Sequence, residues 1–426
     1  MHSRSQYVLR TVLVAVALAL GPACAHAGST GLTLDEAVRL SLQRSPLAGA
    51  AAASVQASRE VASRAGQLPD PMLKVGIENV PVNGAERWST SRDSMTMRTV
   101  GIAQQWVSAD KRAARSERAR RAVDMEEGSR LENVADVRGR TASAWISVLY
   151  GQRTLALFKA IEKQTADDLA AVRAAHRGAK ATAADVAQAQ LALSQAQDAA
   201  SKAEQDLTNA RLALTRWTFV PVESVADQGP PLDSKVPGLS VEGLETSHPV
   251  VLAARRAIAL ADADTALAIR ERRPDWSVEA SFSQRPAFSN MISVGVSIPL
   301  PVDRAHRQDR DVAEKSALAT KARLQYEDAV HALQIDIQSL SNTLESIKRR
   351  LARLNADSLP PAAQQVELAT AAYRAGAGSL SAVFSARKML LERQLQVTEL
   401  EKEAALTWAK LEYHVVPHEF ASKAEQ

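Results

Sequence analysis

Ile292, Val294, Val296 and Ile298 alternate with Ser293, Gly295 and Ser297 until Pro299 and Pro301 stop the pattern. Period two predicts a β-strand with one apolar and one polar face. The pattern occurs three more times. Leu73, Val75 and Ile77 oppose Lys74, Gly76 and Glu78, while Val100, Ile102 and Trp106 oppose Thr99, Gly101 and Gln105. Trp276, Val278, Ala280 and Phe282 oppose Ser277, Glu279, Ser281 and Ser283. Polar loops separate the members of each pair, which predicts two antiparallel hairpins. Elsewhere the period is helical. Val186, Ala189, Leu193, Ala196, Ala200, Ala203, Leu207, Ala210, Leu214 and Trp217 recur at spacings of three and four, as do Val330, Leu333, Ile337, Leu340, Leu344, Ile347, Leu351 and Leu354. Such seams are those of coiled coils. From Ala109 to the turn at Gly178 the helical pattern runs for ~70 residues, or ~100 Å at 1.5 Å per residue.

The chain is written twice. "LPDPMLKVGIENVP" (Leu68–Pro81) is repeated as "RPDWSVEASFSQRP" (Arg273–Pro286), and "MRTVGIAQQWVSADKR" (Met97–Arg112) as "MISVGVSIPLPVDRAHR" (Met291–Arg307). "AAHRGAKATAADVAQAQLAL" (Ala174–Leu193) returns as "AAYRAGAGSLSAVFSARKML" (Ala371–Leu390). Order is kept, so each copy is a helix–strand–strand–long helix–helix unit. Residues 28–217 form the first repeat, with strands near 72–80 and 97–107 and a hairpin tip near 176–182. A linker follows at 218–247. Residues 248–414 form the second repeat, with strands near 276–284 and 290–299 and a tip near 373–380; 415–426 is a tail. The expected class is mainly α with a β-barrel portion.

The apolar faces set the next question. Spanning strands must close into an edgeless barrel, because lipid offers no partner to an unpaired N–H or C=O. Bacterial barrels use an even count of at least eight strands, each ~9–11 residues long. One chain supplies four, so two copies give eight and three give twelve. The expected lipid-facing positions are Val75, Ile77, Val100, Ile102, Val278, Phe282, Ile292, Val294, Val296 and Ile298. A soluble periplasmic coiled-coil protein with a small β-domain is the alternative.

The N-terminus sets the compartment. Arg4 and Arg10 precede an apolar run from Thr11 to Leu20, then Gly21-Pro22 and Ala25-His26-Ala27. That order is the order of a secretory signal peptide, residues 1–27, cleaved after Ala27. A lipid anchor on Cys24 is the rarer alternative. Cleavage removes the chain's one cysteine, and with it any disulfide or thiolate chemistry. It also lowers Lys+Arg from 52 to 50 against 48 acids, a balance that gives no reason to expect nucleic acid. No later run approaches the ~18 apolar residues of a transmembrane helix.

The duplicated plan, "LPDP" before the first strand, and the paired "AAHRGA" and "AAYRAG" turns resemble the TolC-like outer-membrane factors of tripartite efflux pumps. The likeness extends from "LTLDEAVRLSLQRSP" to "WAKLEY". It implies a homotrimer with a twelve-stranded barrel in outer-membrane lipid and a long helical tunnel in the periplasm. It also implies docking to a periplasmic adaptor and an inner-membrane pump of the RND type. "LPDPMLKVGIENVPVNG" and "DSMTMRTVGIAQQW" resemble the heavy-metal branch, with CusC- and CzcC-like members. The expected function is a passive exit duct for heavy-metal cations; a drug-efflux or type I secretion duct is the alternative.

Within that resemblance the two turns are the adaptor-docking tips, through Arg177, Gly178, Arg374, Gly376, Gly378 and Ser379. Gly178, Gly376 and Gly378 are expected to take the positive φ that a reversal needs. Asp185 is the candidate for an acidic ring at the pore mouth; Ala382 and Ser385 stand where the second copy would carry acids. Basic residues crowd below each strand pair: Lys111, Arg112, Arg115, Arg118, Arg120 and Arg121, then Arg304, Arg307 and Arg310. Solvated helix faces explain most of these. His414 and His418 are separated by Pro417, and Met72, Met95 and Met97 read as packing, so no metal site or cofactor is expected. No catalytic motif is present, and no enzyme activity is expected.

Overall fold

A computed structural model describes residues 31–286, 288–413 and 415–416, the Val241 side chain excepted. The signal peptide, Cys24, His414, His418 and most of the tail lie outside the described residues. The helices are α1 (Leu34–Arg44), α2 (Pro46–Arg64), α3 (Ala109–Arg177), α4 (Ala183–Thr218), α5 (Val241–Ser247), α6 (Pro249–Glu271), α7 (Gln308–Arg353), α8 (Leu359–Arg374) and α9 (Leu380–Tyr413). The strands are β1 (Met72–Glu78), β2 (Met97–Trp106), β3 (Trp276–Gln284) and β4 (Met291–Ser297). They match the expected spans to within two residues, and β4 stops two residues before Pro299, which has no N–H to give a ladder.

The four strands form one antiparallel sheet in the order β1-β2-β3-β4. The central β2–β3 pairing joins the repeats, an arrangement the hairpin signals alone did not specify. The helices beside the sheet follow the same order, with α2 on α3, α3 on α6, and α6 on α7. At 69 residues, α3 is about 100 Å long. It starts at Ser108, whose hydroxyl accepts from the Lys111 N–H, and pairs with α4 through a seam of buried Ala189, Ala196, Ala200, Ala203, Leu207 and Leu214. Alanine in the seam lets the two axes approach closely.

The main core lies midway along α3 and at the C-terminal ends of α4, α7 and α9, around Trp145, Ile146, Leu149, Leu214, Ile347 and Trp408. The linker wraps this level. Leu32 bridges Val225 in parallel, and Trp145 Nε1 donates to the Leu32 carbonyl at 2.7 Å. Gln152 takes both backbone groups of Val225, accepting at 2.8 Å and donating at 3.2 Å. Trp408 Nε1 donates to the Asp233 carbonyl at 3.0 Å. Each buried polar atom named here has its partner, as buried polar groups must.

The repeats differ in their long helices. Where α3 is unbroken, α7 passes through a π-helical turn, Leu354–Ser358, into α8. Pro360 and Pro361 explain the turn. They lack N–H groups and their rings clash with carbonyls four residues back, so the backbone widens just before them. The Leu359 N–H accordingly donates to Leu354, five residues back. The sequence pattern of the second seam gave no warning of this.

Candidate functional site

Two surfaces carry the candidate function: the sheet and the hairpin tips. The pairing register lines the apolar side chains up in rows. Val75, Val100, Phe282 and Ile292 lie side by side, and one step along lie Leu73, Ile102, Ala280 and Val294. The next row holds Gln104, Val278 and Val296, and the last holds Trp106 and Trp276. No described residue covers this face: Ile292 is 79% exposed, Val75 75% and Val294 72%. Ile77, Val100, Ile102, Phe282, Val296 and Ile298 are exposed too; Val278 alone among the expected positions is half-buried. Gln104 is the polar exception, and its amide donates to the Pro69 carbonyl at 2.8 Å.

The face has polar or aromatic borders. Trp106 and Trp276 meet with ring centroids 5.8 Å apart where the strands join the helices. Arg98 and Gln284 pair at the opposite end. From Arg98 to Trp106 the strand covers about 27 Å, close to the ~25 Å apolar band of a barrel with its aromatic girdle.

The opposite face is polar and small. Thr99 and Ser283 hydroxyls lie 3.0 Å apart. Lys74 on β1 reaches across β2 to pair with Glu279 on β3, over Gly101 and Ala103, which leave room. The sheet's outer edges, on β1 and β4, have no strand partner among the described residues.

Below the sheet the basic crowd is mostly paired within the chain. Lys111 is buried and donates to Asp275 at 2.6 Å and to the Arg273 carbonyl at 2.8 Å. Arg115 pairs with Glu271, Arg118 with Asp264, Arg120 and Arg121 with Glu117, and Arg112 reaches the Gly66 carbonyl. Arg304 and Arg307 stay exposed, and Arg310 donates to the Ala305 carbonyl at 3.0 Å.

Both tips close with the same turn. Lys180 N donates to Ala175 O and Ala179 N to His176 O; in the second tip Ala377 N donates to Ala372 O and Gly376 N to Tyr373 O. This paired pattern is the Schellman motif, with a left-handed residue in the reversal. The positions are Ala179 (φ 56°) and Gly376 (φ 73°). The expectation for Gly178 and Gly378 is therefore corrected. Gly178 has φ −87° as a helix cap, one residue before the reversal. Gly378 is needed for space instead, because a Cβ there would lie 3.0 Å from Ala372 Cβ.

Arg177, Gly178, Arg374, Gly376 and Ser379 are exposed and Gly378 is half-buried. Leu380, Tyr373 and Phe384 pack against Leu169, Val172, Val186 and Ala189, so the two tips share one small core. Asp168 of α3 pairs with Arg387 of α9 just above it. These two residues also line a cleft of about 580 Å³ between the hairpins, with Phe158, Phe384 and Leu391. Sequence reading missed this pair, because no local pattern links residues so far apart.

Asp185 closes a capping box on α4. Its carboxylate accepts from the Thr182 N–H at 2.9 Å and hydroxyl at 2.8 Å, while its own N–H donates back to the Thr182 hydroxyl. Those bonds hold its pKa below the usual carboxylate value. The cap accounts for an acid here. The methionines do not converge: Met72 and Met97 stand at opposite ends of the first hairpin. Among the described residues no group of His, Cys, Asp and Glu is placed to hold a metal.

Residues 37–218 match the family model for outer membrane efflux proteins. No curated protein matches the sequence. Solved structures do. A membrane protein from Pseudomonas aeruginosa aligns with a TM-score of 0.76 at 16% identity, covering 90% of this chain and 91% of its own. The outer membrane protein VceC of Vibrio cholerae gives 0.73 at 17%, covering 88% and 94%. CusC, in work on transmembrane channel formation, gives 0.75 at 15%, covering 90% and 92%. The three scores are too even to single out a branch. Residues 37–218 thus carry the sequence signature of the outer membrane efflux proteins, and the fold shared with these solved structures extends over both repeats.

Proposed function

We propose that this chain is one subunit of an outer-membrane efflux channel, a passive exit duct driven by an inner-membrane pump through a periplasmic adaptor. One observation carries the reading: a four-stranded sheet whose exposed face is almost wholly apolar and whose two edges are open. In water both features invite aggregation. In a bilayer, closed against further copies, both are satisfied. Three copies give a twelve-stranded barrel, wide enough to leave an aqueous opening. The long helices then project into the periplasm. The family match over the first repeat and the shared fold support the same reading. Its test is location and conductance. The mature protein is expected in the outer-membrane fraction as an oligomer that forms ion-conducting pores in planar bilayers; a soluble periplasmic monomer contradicts it.

On this reading the tips dock a periplasmic adaptor, with Arg177 and Arg374 exposed for contact and Gly178, Gly376, Gly378 and Ser379 shaping the turns. Bulky residues at Gly178 and Gly376 are expected to abolish transport while the oligomer still assembles; normal export in that variant argues against docking there. Asp185, repeated in each subunit, is the candidate acidic ring. Asp185→Asn in single-channel recording separates the two roles, since a residue that only caps leaves cation preference unchanged.

Heavy-metal cations are the proposed cargo, on the sequence likeness of the first hairpin to the heavy-metal branch, and an RND-type pump is the proposed driver. Deletion is expected to sensitise cells to copper, silver, zinc or cobalt. Sensitivity to detergents and dyes instead assigns the duct to drug efflux.

A further inference from the structure

The two repeats supply a template for the free edges of the sheet. Repeat alignment makes Met72 of β1 the counterpart of Ser277 of β3, and Ala103 of β2 the counterpart of Ser297 of β4. Met72 pairs with Ala103, and Ser277 pairs with Ser297. The register of the first hairpin therefore maps onto the second without a slip. The chain also contains one example of repeat meeting repeat, the β2–β3 pairing, in which Val100 faces Phe282 and Ile102 faces Ala280.

We infer that β4 of one copy pairs antiparallel with β1 of the next in the same register as β2–β3. The inference rests on the multi-copy barrel proposed above. Substituting counterparts gives the contacts. Val294 faces Ile77, Val296 faces Val75 and Ile298 faces Leu73 on the apolar side. Gly295 faces Gly76, and Ser293 faces Glu78, on the polar side. Leu300, 79% exposed in the single chain, lies opposite Pro71, just as Trp106 lies opposite Trp276.

Barrel geometry supports this choice among registers of equal polarity. Leu73 faces Ile102, which faces Ala280, yet the repeat counterpart of Leu73 is Val278. Each half-chain thus advances the sheet by two residues across two strands. With a rise of ~3.4 Å per residue and a strand spacing of ~4.8 Å, that stagger tilts the strands by about 35°, at the edge of the 35–45° that barrels adopt. Repeating it at the β4–β1 contact keeps that tilt around the ring for any number of copies. For three copies, sliding β4 by two residues changes the mean tilt to about 20° or about 47°.

Charge gives separate support. Lys74 and Glu279 occupy counterpart positions and carry opposite charge, and within the chain they pair across β2 over Gly101. The counterpart of Gly101 is Gly295. In the inferred register Glu279 reaches across β4, over Gly295, to Lys74 of the next copy. The lumen then carries a continuous belt of alternating Lys74 and Glu279.

The test is oxidative cross-linking in the full chain with Cys24→Ser as background. Val296→Cys with Val75→Cys is compared with Val296→Cys paired with Leu73→Cys or Ile77→Cys. The in-chain pair Ile102→Cys with Ala280→Cys has the geometry of the first pair and serves as reference. All the chosen inter-copy positions are exposed on the apolar face, and size measurement before oxidation establishes the oligomer. The inference predicts inter-copy cross-linking at least tenfold faster for Val296/Val75 than for either neighbour. Faster reaction with Leu73 or Ile77 overturns the register while leaving the barrel reading intact. No inter-copy cross-link in a proven oligomer, with the reference pair reacting, overturns the β4–β1 contact. Absence of any oligomer removes both.

Discussion

Compared with each other, the two repeats agree in the sheet and diverge in the helices. Register and face carry over from β1–β2 to β3–β4 residue by residue. The long helices do not: α3 is continuous, whereas α7 and α8 are separated by a π-turn before Pro360. The tips share a turn, yet one holds Ala179 and the other Gly376 in the left-handed region. Asp185 caps α4, while Ala382 stands at its counterpart. A sheet with one apolar and one polar face tolerates no slip, because one residue of slip turns every side chain to the wrong face. A coiled-coil seam asks only for small or apolar residues at three-and-four spacing, so the copies were free to drift there.

Four comparisons sharpen the contrast, from the largest effect to the smallest. Lys111–Asp275 is a buried tie made at the β2–β3 junction; the counterparts Ala305 and Asp70 make no such pair. Lys111→Met leaves the Asp275 carboxylate only the Gln105 amide at 3.4 Å and is expected to cost about 2 kcal/mol in denaturant unfolding. Asp70→Asn should cost less than about 0.5 kcal/mol. Equal losses would erase the distinction between the two junctions.

Replacing Pro360 and Pro361 with alanine is expected to restore four-residue hydrogen bonds and straighten the second repeat. Protection of the amides around residues 354–361 should rise by about 1–2 kcal/mol in hydrogen exchange. No gain would mean that something other than the prolines holds the π-turn.

At the tips the effects should differ. Gly376→Ala is expected to destabilise its turn by about 1 kcal/mol, and Ala179→Gly to leave its turn equal or firmer. Local exchange at Ala377 and Lys180 reads each. The smallest effect concerns acid. Asp185 has a lowered pKa in the fold, so its cap contributes above the ordinary carboxylate pKa of about 3.9. That contribution is lost as the pH falls through the folded value. Protection at the start of α4 should therefore drop below about pH 4, and Asp185→Asn should flatten that dependence.

Much of this was legible because the repeat is long and its strands alternate cleanly. The four strands, the 69-residue α3 and both reversals follow from period, glycine and duplication. The apolar face was legible for the same reason, down to Ile292 and Val294. What local pattern does not encode is pairing at a distance. The β2–β3 junction, Lys111 with Asp275, Asp168 with Arg387 and Trp145 with the Leu32 carbonyl join residues far apart in the chain. The glycine error has a local cause. "HRGAKAT" and "YRAGAGS" look alike by their glycines, but the hydrogen bonds align Ala179 with Gly376, and Gly178 with Ala375.

In the proposed channel the apolar side of the sheet meets lipid and the polar side meets water. Single fluorophores at Val75, Ile102 and Val294, against Lys74, Thr99 and Ser293, in the reconstituted oligomer test that side by side. Lipid-borne quenchers are expected to darken the first set and water-soluble quenchers the second. Equal access of the aqueous quencher to both sets would contradict the account.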